Sequence, residues 1–164
     1  MDERAHINEH CMMGLSHCGL VFSSRDTCFI AHGFQQSPRE VEFFQKALSE
    51  RGIEPVTARE RGAPGRQTFC KKICAEIIRS RFCIALINND EWDGREVPNA
   101  NVYMELGLML GWRKYVIPFQ RASQKIVFNA AGLYITRYRC TDLERLTAEE
   151  IGKAIGLTRT FTNH

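Results

Sequence analysis

Residues 98–119 read PNANVYMELGLMLGWRKYVIPF, one amphipathic helix running straight into one apolar strand. At about 100° per residue, Val102, Leu106, Met109 and Leu110 share the face expected to meet a core. Asn101, Glu105, Leu108 and Trp112 form an adjoining stripe. Gly107 and Gly111 fall four apart on a third side, where missing side chains permit close backbone contact despite about 1 kcal/mol of helix propensity lost at each. Glu105 is therefore a single carboxylate at the boundary of an apolar face. A carboxylate there is expensive if buried without a partner, so it must be exposed, paired or used. A surface ion pair with an arginine is the plain structural reading.

Working outward, the same alternation of strand and helix recurs. TCFIA from Thr27 is a short β-rich run, HGFQQSP is turn chemistry, and Ser37 followed by Pro38 predicts a helix start. Val41, Phe44, Ala47 and Leu48 then repeat at three and four residues until Gly52 marks the stop. IEPVTA reads as the next strand, RERGAPGRQ as a loop, and Thr68 to Ser80 as a helix with Cys70, Ile73, Cys74, Ile77 and Ile78 inward. FCIALI is a fully apolar strand, and NNDEWDGREVP a polar loop leading into the Glu105 helix. YVIPF, LYITRY and a last helix from about Asp142 to Ile155 complete the pattern. Short apolar strands alternating with helices predict an α/β fold with a parallel sheet covered on both faces. Ligands in such sheets sit at the carboxyl ends of the strands, which selects the loops HGFQQS, RERGAPGRQ and NNDEWDGREVPNAN.

Composition narrows the function classes. The 164 residues suit one domain. A net charge of +3, with no lysine or arginine cluster, argues against nucleic acid as the main ligand. Seven irregularly spaced cysteines read as small core residues in a reducing compartment, so a cytoplasmic protein is expected. There is no apolar run long enough to span a membrane, and the opening MDERAHINEH carries acids where a signal peptide needs bases. His10, Cys11, His17 and Cys18 lie close together but match no standard zinc spacing, so no metal is expected. Residues 1–26 lack clear periodicity and read as an N-terminal arm or extra helix before a domain spanning 27–164.

Taken in order, FIAHGF, GRQTFCKKI, ALINND, NANVYMELGLMLG with YVIPF, and LYITRY resemble the Toll/interleukin-1 receptor (TIR) superfamily, specifically its bacterial TIR-like nucleotide-binding domains. The resemblance covers most of residues 27 to 138, and the asparagine, valine and glutamate-leucine-glycine of the helix are its most specific part. It implies a flavodoxin-like fold around a parallel five-stranded sheet. It also implies an enzyme that hydrolyses or cyclises NAD, often in antiviral defence, with the helix glutamate essential. That role falls on Glu105, and NAD is then the substrate, with no separate cofactor.

The same resemblance nominates substrate contacts at His32, Gly33 and Phe34 in the first turn, Arg66 in the loop of the second, Asn89 and Asp90 after the third strand, and Asn101 one turn before the glutamate. The sequence departs from the family at FQQ after Gly33, where a histidine and an acid are common, and at Asn101, where some TIR enzymes carry tryptophan. The resemblance further implies activation as a homo-oligomer, with a separate sensor or activator protein as a partner. Two other classes stay open: a nucleoside 2-deoxyribosyltransferase-like enzyme using the same glutamate as nucleophile, and a non-catalytic TIR interaction module.

Overall fold

The computed structural model describes residues 6–7, 21–22, 25–58, 69–126 and 132–158. His6–Ile7 (β1) and Val21–Phe22 (β2) pair antiparallel. The central sheet is built from Arg25–His32 (β3), Glu54–Thr57 (β4), Ser80–Leu86 (β5), Val116–Arg121 (β8) and Thr136–Tyr138 (β9). Its spatial order is β4-β3-β5-β8-β9 and every pairing is parallel. The first strand of the sheet thus lies inside the second and third, the flavodoxin-like arrangement, and the crevice at its switch point opens between the carboxyl ends of β3 and β5.

Strand alternation divides the core in two. On one face Ile30, Phe82, Ile84, Leu86 and Phe119 pack beneath Pro38–Ser49 (α1) and Leu143–Thr158 (α4). On the other, Phe29, Ala31, Cys83, Ala85 and Ile87 pack beneath Ala75–Arg79 (α2) and Ala100–Gly111 (α3). Small residues dominate that second face, so α3, the Glu105 helix, rests on a bed of alanine and cysteine. Cys28, Cys74 and Cys83 are buried as expected of small core residues, whereas Cys140 is exposed in the turn after β9.

Several local expectations need correction. The residues from Phe69 form a π-helical turn to Cys74 before a short α-helix, and Ser80 already belongs to β5, its hydroxyl donating back to Glu76 O at 2.7 Å. NNDEWDGREVP is a β-hairpin, Asp90–Trp92 (β6) against Arg95–Val97 (β7), not a plain loop. Its two-residue turn is Asp93-Gly94 with φ of 49° and 68°, the doubly positive geometry that suits Asp-Gly. On α3, Leu110 points outward at 44 % exposure. Gly107 is exposed too, with open space where a Cβ would sit, so no close backbone contact is made there.

A buried polar network ties the carboxyl ends of the strands to α1. Asn88, just past β5, donates from Nδ2 to Gln36 Oε1 (2.8 Å) and to the Tyr138 hydroxyl (2.9 Å), and its Oδ1 accepts from Arg121 N (2.8 Å). Glu40 on α1 receives both Arg121 nitrogens, Nε at 3.1 Å and a terminal nitrogen at 2.5 Å, along with the Tyr138 hydroxyl at 3.2 Å. Burial, only partly offset by the bond from Asn88, pushes the Tyr138 hydroxyl up to about 12. Asn88→Ala removes the bonds to Gln36, Tyr138 and Arg121 N at once and is expected to cost about 2–4 kcal/mol, measured as a fall in the urea midpoint at unchanged slope.

Candidate active site

The crevice between β3 and β5 is closed at one corner by three converging segments. Gly33 directly follows β3, Asp90 opens the hairpin beyond β5, and Asn99 caps α3. Asn99 Oδ1 accepts from Val102 N at 3.0 Å, and its Nδ2 donates to Asp90 Oδ2 at 2.6 Å. One amide thereby satisfies a helix end and braces an acid, the use for which asparagine is favoured at a helix start. A Cβ on Gly33 would lie 2.7 Å from Asn99 Nδ2 and 3.1 Å from Asp90 Oδ1. Glycine is needed there for space.

Around this corner the residues nominated from sequence separate into groups. His32 turns Nδ1 toward the Gly33 carbonyl at 3.2 Å. Phe34 projects into solvent, 81 % exposed. Asn89 faces away: its backbone N–H bonds Gln124 Oε1 (2.9 Å), and its Nδ2 bonds Glu96 Oε2 (3.2 Å) and Lys125 O (3.3 Å). Asn101 is exposed on the first turn of α3. Arg66 lies outside the described residues, as do His10, Cys11, His17 and Cys18. Among the described residues no group of histidine, cysteine and acid is arranged to hold a metal ion.

Glu105 lies about 9 Å along the α3 axis from the Asn99 cap, at 1.5 Å per residue. It is buried, 7 % exposed, on the same helix face as Val102, Leu106 and Met109 of the second core cluster. Among the described residues no donor or cation meets its carboxylate. Burial therefore acts unopposed and pushes the carboxyl up from its ordinary 4.5 to about 7. Of the three possibilities open to a carboxylate here, exposure is removed, and no ion pair is made among the described residues.

Two participants escaped the sequence reading. Asn99 was passed over for Asn101, although it directly precedes the helix and so occupies the cap position. Gln35 was not singled out either, yet its side chain grips the hairpin backbone, accepting from Glu91 N (2.8 Å) and donating to Glu91 O (3.2 Å). The first carried a readable signal; the second joins residues 56 apart and left none.

Two predictions follow from this geometry. Gly33→Ala is expected to cost about 1–2 kcal/mol by displacing the Asn99 cap, and little further when Asn99→Ala is already present, because both changes act through one contact. A double-mutant cycle in urea reads this directly. For Glu105, the folded carboxyl holds its proton more tightly than the unfolded one, so stability falls as pH rises from about 4.5 to about 7. Glu105→Gln is expected to stabilise the protein by up to about 3 kcal/mol at pH 8.5 and hardly at all at pH 4, measured as the difference between urea midpoints at the two pH values.

Comparison with known proteins agrees with this architecture. The family profile described as the TIR domain of the CAP12/Pycsar effector protein matches residues 27–139. Among solved structures, the TIR domain of the Toll-related receptor TRR-2 from Hydra magnipapillata superposes with a TM-score of 0.55 at 16% identity, covering 79% of this chain and 97% of its own. A 2-desoxiribosyltransferase from Leishmania mexicana gives a TM-score of 0.53 at 14% identity, covering 75% and 97%. At these identities both show a shared fold. No curated protein matches the sequence significantly.

Proposed function

The chain belongs to the TIR-domain family of CAP12/Pycsar effector proteins, and from that premise we propose that it cleaves the nicotinamide–ribosyl bond of NAD, in antiviral defence, with Glu105 as the catalytic carboxylate. The observation that carries this reading is a buried acid without a counter-charge among the described residues, on the helix whose cap lies at the carboxyl ends of the strands, where such sheets bind ligands.

Cleavage of this bond develops an oxocarbenium-like ribosyl cation at C1′, and a desolvated carboxylate beside it stabilises the positive charge more strongly than one in water. Nicotinamide leaves with the bonding pair and departs neutral from a cationic ring, so no general acid is needed. Water then adds to C1′ and releases a proton, giving ADP-ribose; attack by the adenine base instead gives a cyclic product. A single acid suffices for either course. Gly33 lets the first turn approach the ligand, Phe34 offers a ring face, and Arg66 offers a guanidinium to the pyrophosphate. His32, Asp90, Asn89 and Asn101 are the remaining contacts proposed from the resemblance, and Asn89 is the least suited because its Nδ2 is spent on Glu96 and Lys125. The active form is proposed to be a homo-oligomer assembled by a separate activator.

The same fold in a desoxiribosyltransferase gives a second reading, in which Glu105 attacks a deoxynucleoside. Incubation of the protein with NAD, dispersed and after induced assembly, is expected to release nicotinamide in at least one state, and Glu105→Ala to abolish it. kcat/KM is expected to rise with pH through about 7, because the ionised carboxylate is the active form and the free enzyme holds it near that value. Base exchange between deoxynucleosides with NAD left intact would replace this reading by the second; inertness toward both would leave an interaction module.

A further inference from the structure

The Asp90–Val97 hairpin has two chemically distinct faces. Residues two apart in a strand, and residues directly opposite across an antiparallel pair, share a face. The register pairs Asp90 with Val97, Glu91 with Glu96, and Trp92 with Arg95. Asp90, Trp92, Arg95 and Val97 therefore lie on one face, Glu91 and Glu96 on the other. Side-chain contacts orient both. Glu96 reaches Asn89 at 3.2 Å, on the side of the β8 exit loop. Asp90 reaches Asn99 at 2.6 Å and stands beside Gly33, on the side of the crevice.

Trp92 and Arg95 thus share the face whose Asp90 meets the crevice corner. Trp92 is 70 % exposed, a costly position for the largest apolar ring unless something covers it. Arg95 is exposed, and its side chain makes no hydrogen bond or ion pair among the described residues. The pair is held in place by the paired hydrogen bonds of Gln35 to Glu91, which couple the hairpin to the turn that carries Phe34. A planar ring and a guanidinium without a partner among the described residues, opposite each other on the hairpin face that Asp90 turns toward the carboxyl end of β3, suit a ligand made of a heteroaromatic base joined to a diphosphate.

We infer that this hairpin face is the distal half of the nucleotide site, with Trp92 stacking on the adenine and Arg95 holding the diphosphate while the nicotinamide riboside lies toward Glu105. The assignment rests on NAD being the substrate, and it makes the hairpin a binding element that selects dinucleotides over mononucleotides.

Because the chain has two tryptophans, Trp112→Phe leaves Trp92 as sole fluorophore. ADP-ribose is expected to quench its emission saturably. In calorimetric titration of the otherwise unaltered protein, which needs no Trp112 change, Trp92→Ala and Arg95→Ala are each expected to raise the Kd for ADP-ribose about tenfold. Arg95→Ala should leave the Kd for adenosine within twofold. Nicotinamide release by the wild type, together with Kd values for ADP-ribose unmoved by either substitution, would overturn the hairpin assignment and leave the reaction standing. Binding that depends on Trp92 and Arg95 without any NAD cleavage would keep the hairpin site and remove the reaction.

Discussion

A gap too small for a methyl group fixes the geometry of this protein. Where β3, the hairpin and α3 converge, Gly33 lies against the amide of Asn99, and that amide is spent twice, on Val102 N and on Asp90. Each bond limits the other. The cap fixes where α3 begins, the acid fixes how the hairpin leaves β5, and the glycine sets the distance between them. Because α3 is a single twelve-residue helix, fixing its first turn fixes Glu105 a turn and a half later.

The sheet beneath α3 does the complementary work. Ala31, Cys83 and Ala85 offer little side-chain height beneath α3, and Glu105 is buried there with Val102, Leu106 and Met109. The opposite face, with Ile30, Phe82, Ile84, Leu86 and Phe119, is filled by large side chains and adds the Asn88–Glu40–Arg121–Tyr138 network at its edge. Both faces are packed; the first also carries the long-range polar ties, and the second holds an acid that is unpaired among the described residues. Burying a lone carboxylate destabilises a fold, and a domain bears it more readily when another part supplies packing and long-range hydrogen bonds.

The alternation of strands and helices, the cover on both sheet faces and the helix that carries Glu105 were legible from periodicity, whereas the five-stranded flavodoxin-like sheet was legible only through the family resemblance. Val41, Phe44, Ala47 and Leu48 recur as a helix core face must, and all four are buried. Leu110 misled because a hydrophobic residue at the margin of a stripe is buried only if a neighbour covers it, and none among the described residues does so. The hairpin was missed although Asp93-Gly94 is a strong turn signal, because the six residues flanking it are mostly polar and show no apolar alternation. The Glu40–Arg121 pair joins residues 81 apart, and no local pattern encodes such a contact.

The raised titration of Glu105 also bears on how a substrate would engage it. A free carboxyl near pH 7 is protonated in a large share of molecules, which lowers the cost of keeping it buried while the crevice is empty. The nicotinamide ring of NAD carries a positive charge, and a cation brought against a desolvated carboxyl favours its ionised form. Under the proposed reaction, binding would recruit the charge that the transition state then uses. The acid would be stored neutral and become anionic when the cation arrives, so burial without a counter-ion among the described residues serves the chemistry: an arginine paired with Glu105 would stabilise the fold and occupy the position the ribosyl cation needs.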